Sequence, residues 1–158
     1  MPCSYLSLQG KIVKEITGNL WNYHNKNDYA ICITTNAIVK DSGDLVCGAG
    51  CAKEACQRTN FARLAGLQVF AWGNHVYHIT DNIFTFPVKR HYANKAKLSI
   101  IENSCKELVD IMNKDKYKNR YKKIVLPRPG CGNGKLNWEE VRLILEKYLD
   151  NRFLVISK

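Results

Sequence analysis

Three short segments of this sequence hold residues that could act on a phosphorylated ligand. The first, residues 128–136, reads RPGCGNGKL and places glycines at 130, 132 and 134. Glycine permits positive φ and lets backbone amides come close to a bound group. An apolar run, IVLP, precedes this segment, and an amphipathic one, NWEEVRLILEKYL, follows it. In open α/β sheets, ligands gather beyond the carboxyl ends of strands. A helix starting near Asn137 would turn its free N–H groups and positive dipole end toward that region. The residues alone leave two readings open, a cradle for phosphate and a plain strand-to-helix turn. The segment is neither a P-loop, because no G-K-[ST] follows, nor a G-x-G-x-x-G dinucleotide fingerprint.

The second segment, residues 47–55, reads CGAGCAKEA and also leads into a helical pattern. It would hold a second phosphate, or Gly48 and Gly50 simply shape a helix start. Two such loops together suit a diphosphate better than one does. The third segment, residues 85–92, reads TFPVKRHY. Lys89 and Arg90 follow a strand end, where a cation can act on a bound anion. A neighbouring cation would lower the pKa of Lys89 and make it a nucleophile or proton donor. The alternative is a basic surface loop.

The elements that must position these segments alternate. SYLSLQ and KIVKEIT read as short strands, and YAICITTN as a buried strand ending at Asn36. A polar, glycine-bearing loop follows, then a helix over residues 51–65 that Gly66 ends. LQVFAW and HVYHIT flank Gly73-Asn74, which predicts a hairpin. NIFTF is a strand stopped by Pro87. Leu98, Ile101, Cys105, Leu108 and Met112 recur at helical spacing. KKIVLP is a strand, and NWEEVRLILEKYL is a helix that opens on an N-x-x-E start signal, Asn137 and Glu140. RFLVISK is a final strand. The pattern predicts an α/β fold, a mixed sheet with helices on both faces.

Composition sets further bounds. The chain has 158 residues and is 46% hydrophobic, which suits one packed domain rather than a disordered chain. No apolar run is long enough to span a bilayer, and the N-terminus lacks the charged and apolar regions of a secretory signal. A cytoplasmic protein without a membrane partner is expected. Seven cysteines without C-x-x-C spacing predict reduced thiols and no metal site. The formal net charge of +10 favours anionic partners, nucleic acid and nucleotides among them. Its densest cluster, NKDKYKNRYKK at residues 113–123, reads as a solvated helix end, or as a phosphate-backbone patch interleaved with Tyr117 and Tyr121. Trp21, Trp72 and Trp138 are expected to pack rather than stack on bases, and His24, His75 and His78 to be structural.

Taken together, ITGNL, ITTN, CGAGCA and LPRPGCGNGKLNWEEV, in this order along nearly the whole chain, resemble a macro domain, the ADP-ribose-binding module. FPVKRHY with PGCGNGKL is most similar to the DNA-ADP-ribose glycohydrolase antitoxins of bacterial toxin–antitoxin pairs. The resemblance implies one macro domain over residues 1–158, with a three-layer α/β/α architecture around a central mixed sheet. It implies that Asn19 meets the adenine edge, that Leu20 lies beside the base, and that Asn36 lies next to the distal ribose. Gly48, Ala49, Gly50 and Cys51 would form the first diphosphate loop, and Gly130, Cys131, Gly132, Asn133 and Gly134 the second. Lys89 matches the catalytic lysine of the antitoxin-like branch. Hydrolases acting on acidic side chains carry an Asp in the second loop, at the position of Gly134 here. The lead into the first loop, with Asp41 and Asp44, is longer than in the antitoxins.

The resemblance therefore implies an ADP-ribosyl hydrolase that acts on a macromolecule such as DNA through Lys89, as a monomer and without a cofactor. Two further activities of the fold remain open. One is a phosphatase on ADP-ribose 1″-phosphate, and the other is a non-catalytic reader or sequestering module for ADP-ribose.

Overall fold

Residues alternate between two apolar layers along each central strand, and this alternation builds the molecule. The computed structural model describes residues 13–158. Its strands are β1 (Lys14–Thr17), β2 (Tyr29–Thr35), β3 (His78–Thr80), β4 (Ile83–Pro87), β5 (Lys123–Pro127) and β6 (Phe153–Ser157). Its helices are α1 (Gly50–Arg58), α2 (Phe61–Trp72), α3 (Leu98–Met112), α4 (Asp115–Lys118) and α5 (Trp138–Tyr148), and a 3₁₀ turn spans Leu20–Tyr23. The sheet order is β1-β6-β5-β2-β4-β3. Pairing is parallel throughout except for the antiparallel β3–β4 pair. The sheet is therefore mixed, as the sequence predicts.

Ala30, Cys32, Phe84, Phe86, Ile124, Leu126, Phe153 and Val155 face one layer, where α3 contributes Ile101, Cys105, Leu108 and Met112 and α5 contributes Val141 and Leu145. Ile31, Ile33, Ile83, Val125, Leu154 and Ile156 face the other, against Leu20 and Trp21 of the 3₁₀ turn, Ala52 and Ala55 of α1, and Phe61, Ala65 and Val69 of α2. Strands covered on both faces carry continuous apolar runs, as parallel strands do. The helix-on-sheet-on-helix arrangement is the expected three-layer α/β/α architecture.

Several local expectations are corrected. The strand SYLSLQ lies outside the described residues. LQVFAW is not a strand but the second half of α2, and Gly66 does not end a helix. The break falls instead at Thr59-Asn60, between α1 and α2. Gly66 is required by packing, since a β-carbon there would lie 2.0 Å from the Gly43 carbonyl oxygen. That contact seats the long lead into the first glycine loop, which folds on itself through a Val39–Leu45 bridge and pairs Asp44 with Arg63 at 3.0 Å. The hairpin turns at Asp81-Asn82, with Asp81 at φ +51°, not at Gly73-Asn74. Gly73 instead terminates α2 at φ +95°.

The thiol expectation also changes, because Cys47 and Cys56 are joined as a disulfide that ties the first glycine loop to α1. Cys32, Cys51, Cys105 and Cys131 are free. Trp72 is 73% exposed and does not pack, whereas Trp21 is buried. In the basic cluster, Tyr121 is buried and Tyr117 lies edge-on to Phe84. These rings pack on the core, and the cluster's cations also reach them, with Lys116 Nζ 5.2 Å from the Tyr117 ring centroid and the Arg120 guanidinium 5.2 Å from that of Tyr121.

Candidate functional site

The parallel strands β1, β6, β5, β2 and β4 all end at one edge, and a cleft of about 580 Å³ opens there. It is lined by the residues that follow those ends, Gly18, Asn36, Val88, Arg128 and Lys158. This is the position the topology of an open α/β sheet assigns to a ligand.

The first glycine loop reaches the cleft through Gly48, Ala49, Gly50 and Cys51. Gly50 sits at φ +62°, a conformation a side chain would strain. Ala49 is the N-cap of α1, with no side-chain hydrogen bond to the first turn and no acidic residue in it. The first amides of a helix have no intrahelical acceptor. Ala49 has no polar side chain to replace one, so the helix end offers N–H groups and dipole to an anion. Cys51 Sγ lies 3.3 Å from Thr34 Oγ1, and burial pushes its thiol pKa up.

The second loop brings Gly130, Gly132, Asn133 and Gly134 to the cleft, while Cys131 is not among the lining residues. The loop is held by Leu136 N donating to Gly130 O (2.9 Å), Lys135 N to Gly132 O (3.0 Å) and Ala96 N to Gly134 O (3.0 Å). Gly130 adopts φ +74° and Lys135 φ +61°. The two loops face each other, since a β-carbon at Gly50 would lie 3.6 Å from Asn133 Nδ2. The helix after this loop behaves differently from expectation. Asn137 caps α5 by accepting from Glu139 N at 2.8 Å, and Glu139 and Glu140 occupy its first turn. The start of α5 is thus satisfied by its own residues and does not line the cleft. Among the described residues, the α-helix end that lines this cleft is that of α1.

Asn19 and Leu20 line one end of the cleft. Asn19 Oδ1 accepts from Trp21 N at 3.0 Å and so caps the 3₁₀ turn. Trp21 also lines the cleft, and its indole N–H is buried without a partner among the described residues. Asn36 is 6% exposed. Its Nδ2 donates to Val46 O (2.9 Å), and its Oδ1 accepts from Ile38 N (2.9 Å). It pins the lead of the first loop to the end of β2.

Lys89 follows β4 and reaches the same cleft. Its Nζ donates to Tyr92 O (3.1 Å) and Asn94 O (3.2 Å), so the ammonium group has a fixed place. Burial, and secondly the Lys135 ammonium, hold its pKa below the ordinary lysine value. The lowering cation is therefore in the second glycine loop and is not the adjacent Arg90. Lys135, Arg128 and Tyr92 are residues the sequence did not single out. Arg128 lines the cleft, with its guanidinium 4.8 Å over the Trp138 ring and 3.1 Å from Glu15. Its place directly before the glycine loop was the available signal.

Among the described residues, no group of three or more His, Cys, Asp or Glu could hold a metal ion, and no helix is long and apolar enough to cross a membrane.

No protein-family model matches the chain. A curated relative, the DNA ADP-ribosyl glycohydrolase of Thermus aquaticus, is 34% identical over 68 residues, which are 43% of this chain and 18% of that protein. The macrodomain of Mycobacterium tuberculosis DarG matches with a TM-score of 0.70 at 20% identity, covering 94% of this chain and 99% of that one. The macrodomain of Thermus aquaticus DarG matches with a TM-score of 0.70 at 23% identity, covering 92% and 97%. Thermosipho africanus DarTG in complex with ADP-ribose matches with a TM-score of 0.67 at 18% identity, covering 90% of this chain and 41% of that one. This chain has the macro-domain fold, and the solved structures it resembles include the macrodomains of DarG.

Proposed function

We propose that this protein binds ADP-ribose in the cleft at the strand ends and cleaves the bond that joins its distal ribose to a macromolecule, DNA being the favoured substrate. The observation that carries this reading is the meeting of three elements in one cleft: the uncapped start of α1, the second glycine loop facing it, and Lys89. The name of the Thermus aquaticus relative and the ADP-ribose bound to the Thermosipho africanus protein support it.

On this reading the diphosphate lies between Gly48–Cys51 and Gly130–Gly134, with Arg128 and the α1 dipole balancing its charge. Cys131 takes part through the loop backbone. Asn19 retains an oxygen lone pair beyond its cap bond for the adenine edge, and Leu20 packs beside the base. Asn36 fixes the distal ribose. Cleavage at an anomeric carbon passes through an oxocarbenium-like state, and holding the sugar in place supplies much of the rate. Lys89 acts there, as a nucleophile on the opened sugar or as proton donor to the leaving group. Its lowered pKa suits either role.

The test is a panel of ADP-ribosylated DNA, protein ADP-ribosylated on Glu or Asp, and ADP-ribose 1″-phosphate, each with the wild type and Lys89→Ala. The expected result is release of ADP-ribose from DNA, reduced by about 10²-fold or more in Lys89→Ala, with ADP-ribose binding retained. Full turnover by Lys89→Ala removes the lysine from the mechanism. Phosphate release from ADP-ribose 1″-phosphate with indifference to DNA assigns a phosphatase, and tight binding without turnover assigns a reader.

A further inference from the structure

A second cleft, of about 810 Å³, lies on the far side of the loop that carries Lys89. The two clefts share one wall. Asn36 faces the first and Ala37 the second, and Lys89 and Tyr92 face the first while Arg90 and His91 face the second. The wall is fixed by Ala37 N donating to Arg90 O (2.8 Å) and by Asn74 Nδ2 donating to Lys89 O (3.2 Å). A polymer attached at the reacting sugar beside Lys89 therefore has a short path over Tyr92 and His91 into the second cleft.

The lining has the chemistry of a nucleotide subsite. Arg90 is exposed and supplies a cation, while Ser99 and Asn103 of α3 supply hydroxyl and amide groups. His91 and Tyr92 stack with ring centroids 4.3 Å apart and an interplanar angle of 26°, and Tyr92 is 49% exposed. An exposed aromatic face beside a cation is how unpaired bases and their phosphates are held without regard to sequence. Lys95 and Lys97, both exposed, lie in the segment that joins Tyr92 to Ser99. Among the described residues, Glu107 is the one carboxylate of the lining, and it is paired with His75 Nδ1 at 2.6 Å and accepts from Val76 N at 2.9 Å.

We propose that the second cleft and the stacked His91–Tyr92 pair form the subsite for a single-stranded nucleic acid next to its ADP-ribosylated nucleotide. This rests on the proposed hydrolase reading. An acidic peptide would find the same cations but would leave the aromatic face without a partner.

The test measures binding of an unmodified single-stranded oligonucleotide at several salt concentrations, together with ADP-ribose binding, for the wild type, Arg90→Ala and His91→Ala. KM for an ADP-ribosylated oligonucleotide completes it. Arg90→Ala is expected to weaken oligonucleotide binding about tenfold and lower the salt slope by about 1. His91→Ala is expected to weaken binding about tenfold with the slope unchanged. Both should raise KM and leave ADP-ribose affinity as it is. The proposal is overturned if neither substitution changes oligonucleotide affinity, or if the wild type binds an acidic peptide and no oligonucleotide. Failure to bind ADP-ribose would instead sink the hydrolase reading, and the oligonucleotide measurements still decide the subsite.

Discussion

A β-carbon on Gly134 would lie 2.6 Å from the carbonyl oxygen of Gly130 and 2.7 Å from the Ala96 β-carbon. The second glycine loop thus closes on itself through a contact that only glycine permits, although Gly134 does not have positive φ. An acidic side chain at this position would require the loop to move. Gly134→Ala is expected to destabilise the protein by about 1–3 kcal/mol, the usual cost of overpacking, and to weaken ADP-ribose binding with it. Urea unfolding and calorimetry check both. Gly134→Asp should lose more stability and gain no turnover on Glu- or Asp-linked ADP-ribose. A stable Gly134→Asp protein with that new activity would show the loop to be more accommodating than its packing indicates.

Gly132 sets the opposite condition. A β-carbon there meets nothing within 4 Å, and its φ is not positive. The fold has no need of glycine at this place, so Gly132→Ala separates the two meanings of a glycine loop. The substitution should leave the unfolding midpoint in urea unchanged and weaken ADP-ribose binding about tenfold, or about 1.4 kcal/mol, because on the proposed reading the new methyl group stands where the ligand approaches the backbone. Gly48→Ala, equally free of neighbours, should behave in the same way. Unchanged affinity in both variants would reduce the loops to strand-to-helix turns.

The coupling of Lys89 to Lys135 predicts a pH effect of known sign. The Lys135 ammonium disfavours a second positive charge, and so contributes to the lowered pKa of Lys89 after burial. Lys135→Gln should raise the pKa of Lys89 toward its ordinary value. If Lys89 attacks as the neutral amine, kcat rises with pH through that pKa, and the rising limb moves to higher pH in Lys135→Gln. If it donates a proton as the ammonium, kcat falls through that pKa, and the falling limb moves to higher pH. The pH–rate profiles of the two proteins therefore identify the role as well as the coupling. A profile that does not move would dissociate Lys135 from the reacting amine.

Strands β2, β4, β5 and β6 and the helices α3 and α5 were legible because local period and burial coincide. Ile101, Cys105, Leu108 and Met112 point inward at helical spacing and are buried. Helix α2 was not legible beyond its first turns, and its residues show why. Phe61, Ala65 and Val69 face the core, but Leu67, Phe70 and Trp72 are exposed, so apolar residues on the solvent side hide the helical period. Gly66 read as a stop because its reason, the close approach of the loop at Gly43, lies outside the local sequence. At the site the glycine segments could be picked out for the converse reason, since glycine density is a local feature, and both reach the cleft. The placement of Arg128, Lys135 and Tyr92 about Lys89 depends on which loops the sheet brings to one edge. No spacing along the chain encodes that.

Asn36 provides the last prediction, because its two roles can be separated by measurement. Both ends of its amide are engaged within the chain, Nδ2 with Val46 O and Oδ1 with Ile38 N, and the side chain is buried. Asn36→Ala leaves a half-buried carbonyl and a half-buried amide without these partners, at a cost of about 1 kcal/mol, the lower end of the range for an unsatisfied group. Asn36→Asp keeps an acceptor for Ile38 N but sets a carboxylate oxygen against Val46 O. It should be at least as destabilised at neutral pH and recover part of the loss in acid, when the carboxyl can donate. Denaturant unfolding at neutral and acid pH checks this sign. Loss of turnover in either variant will then combine a displaced first loop with a lost ribose contact. Comparing ADP-ribose affinity with that for ADP, which lacks the distal ribose, separates them. Loop displacement weakens both ligands, whereas a ribose contact weakens ADP-ribose alone.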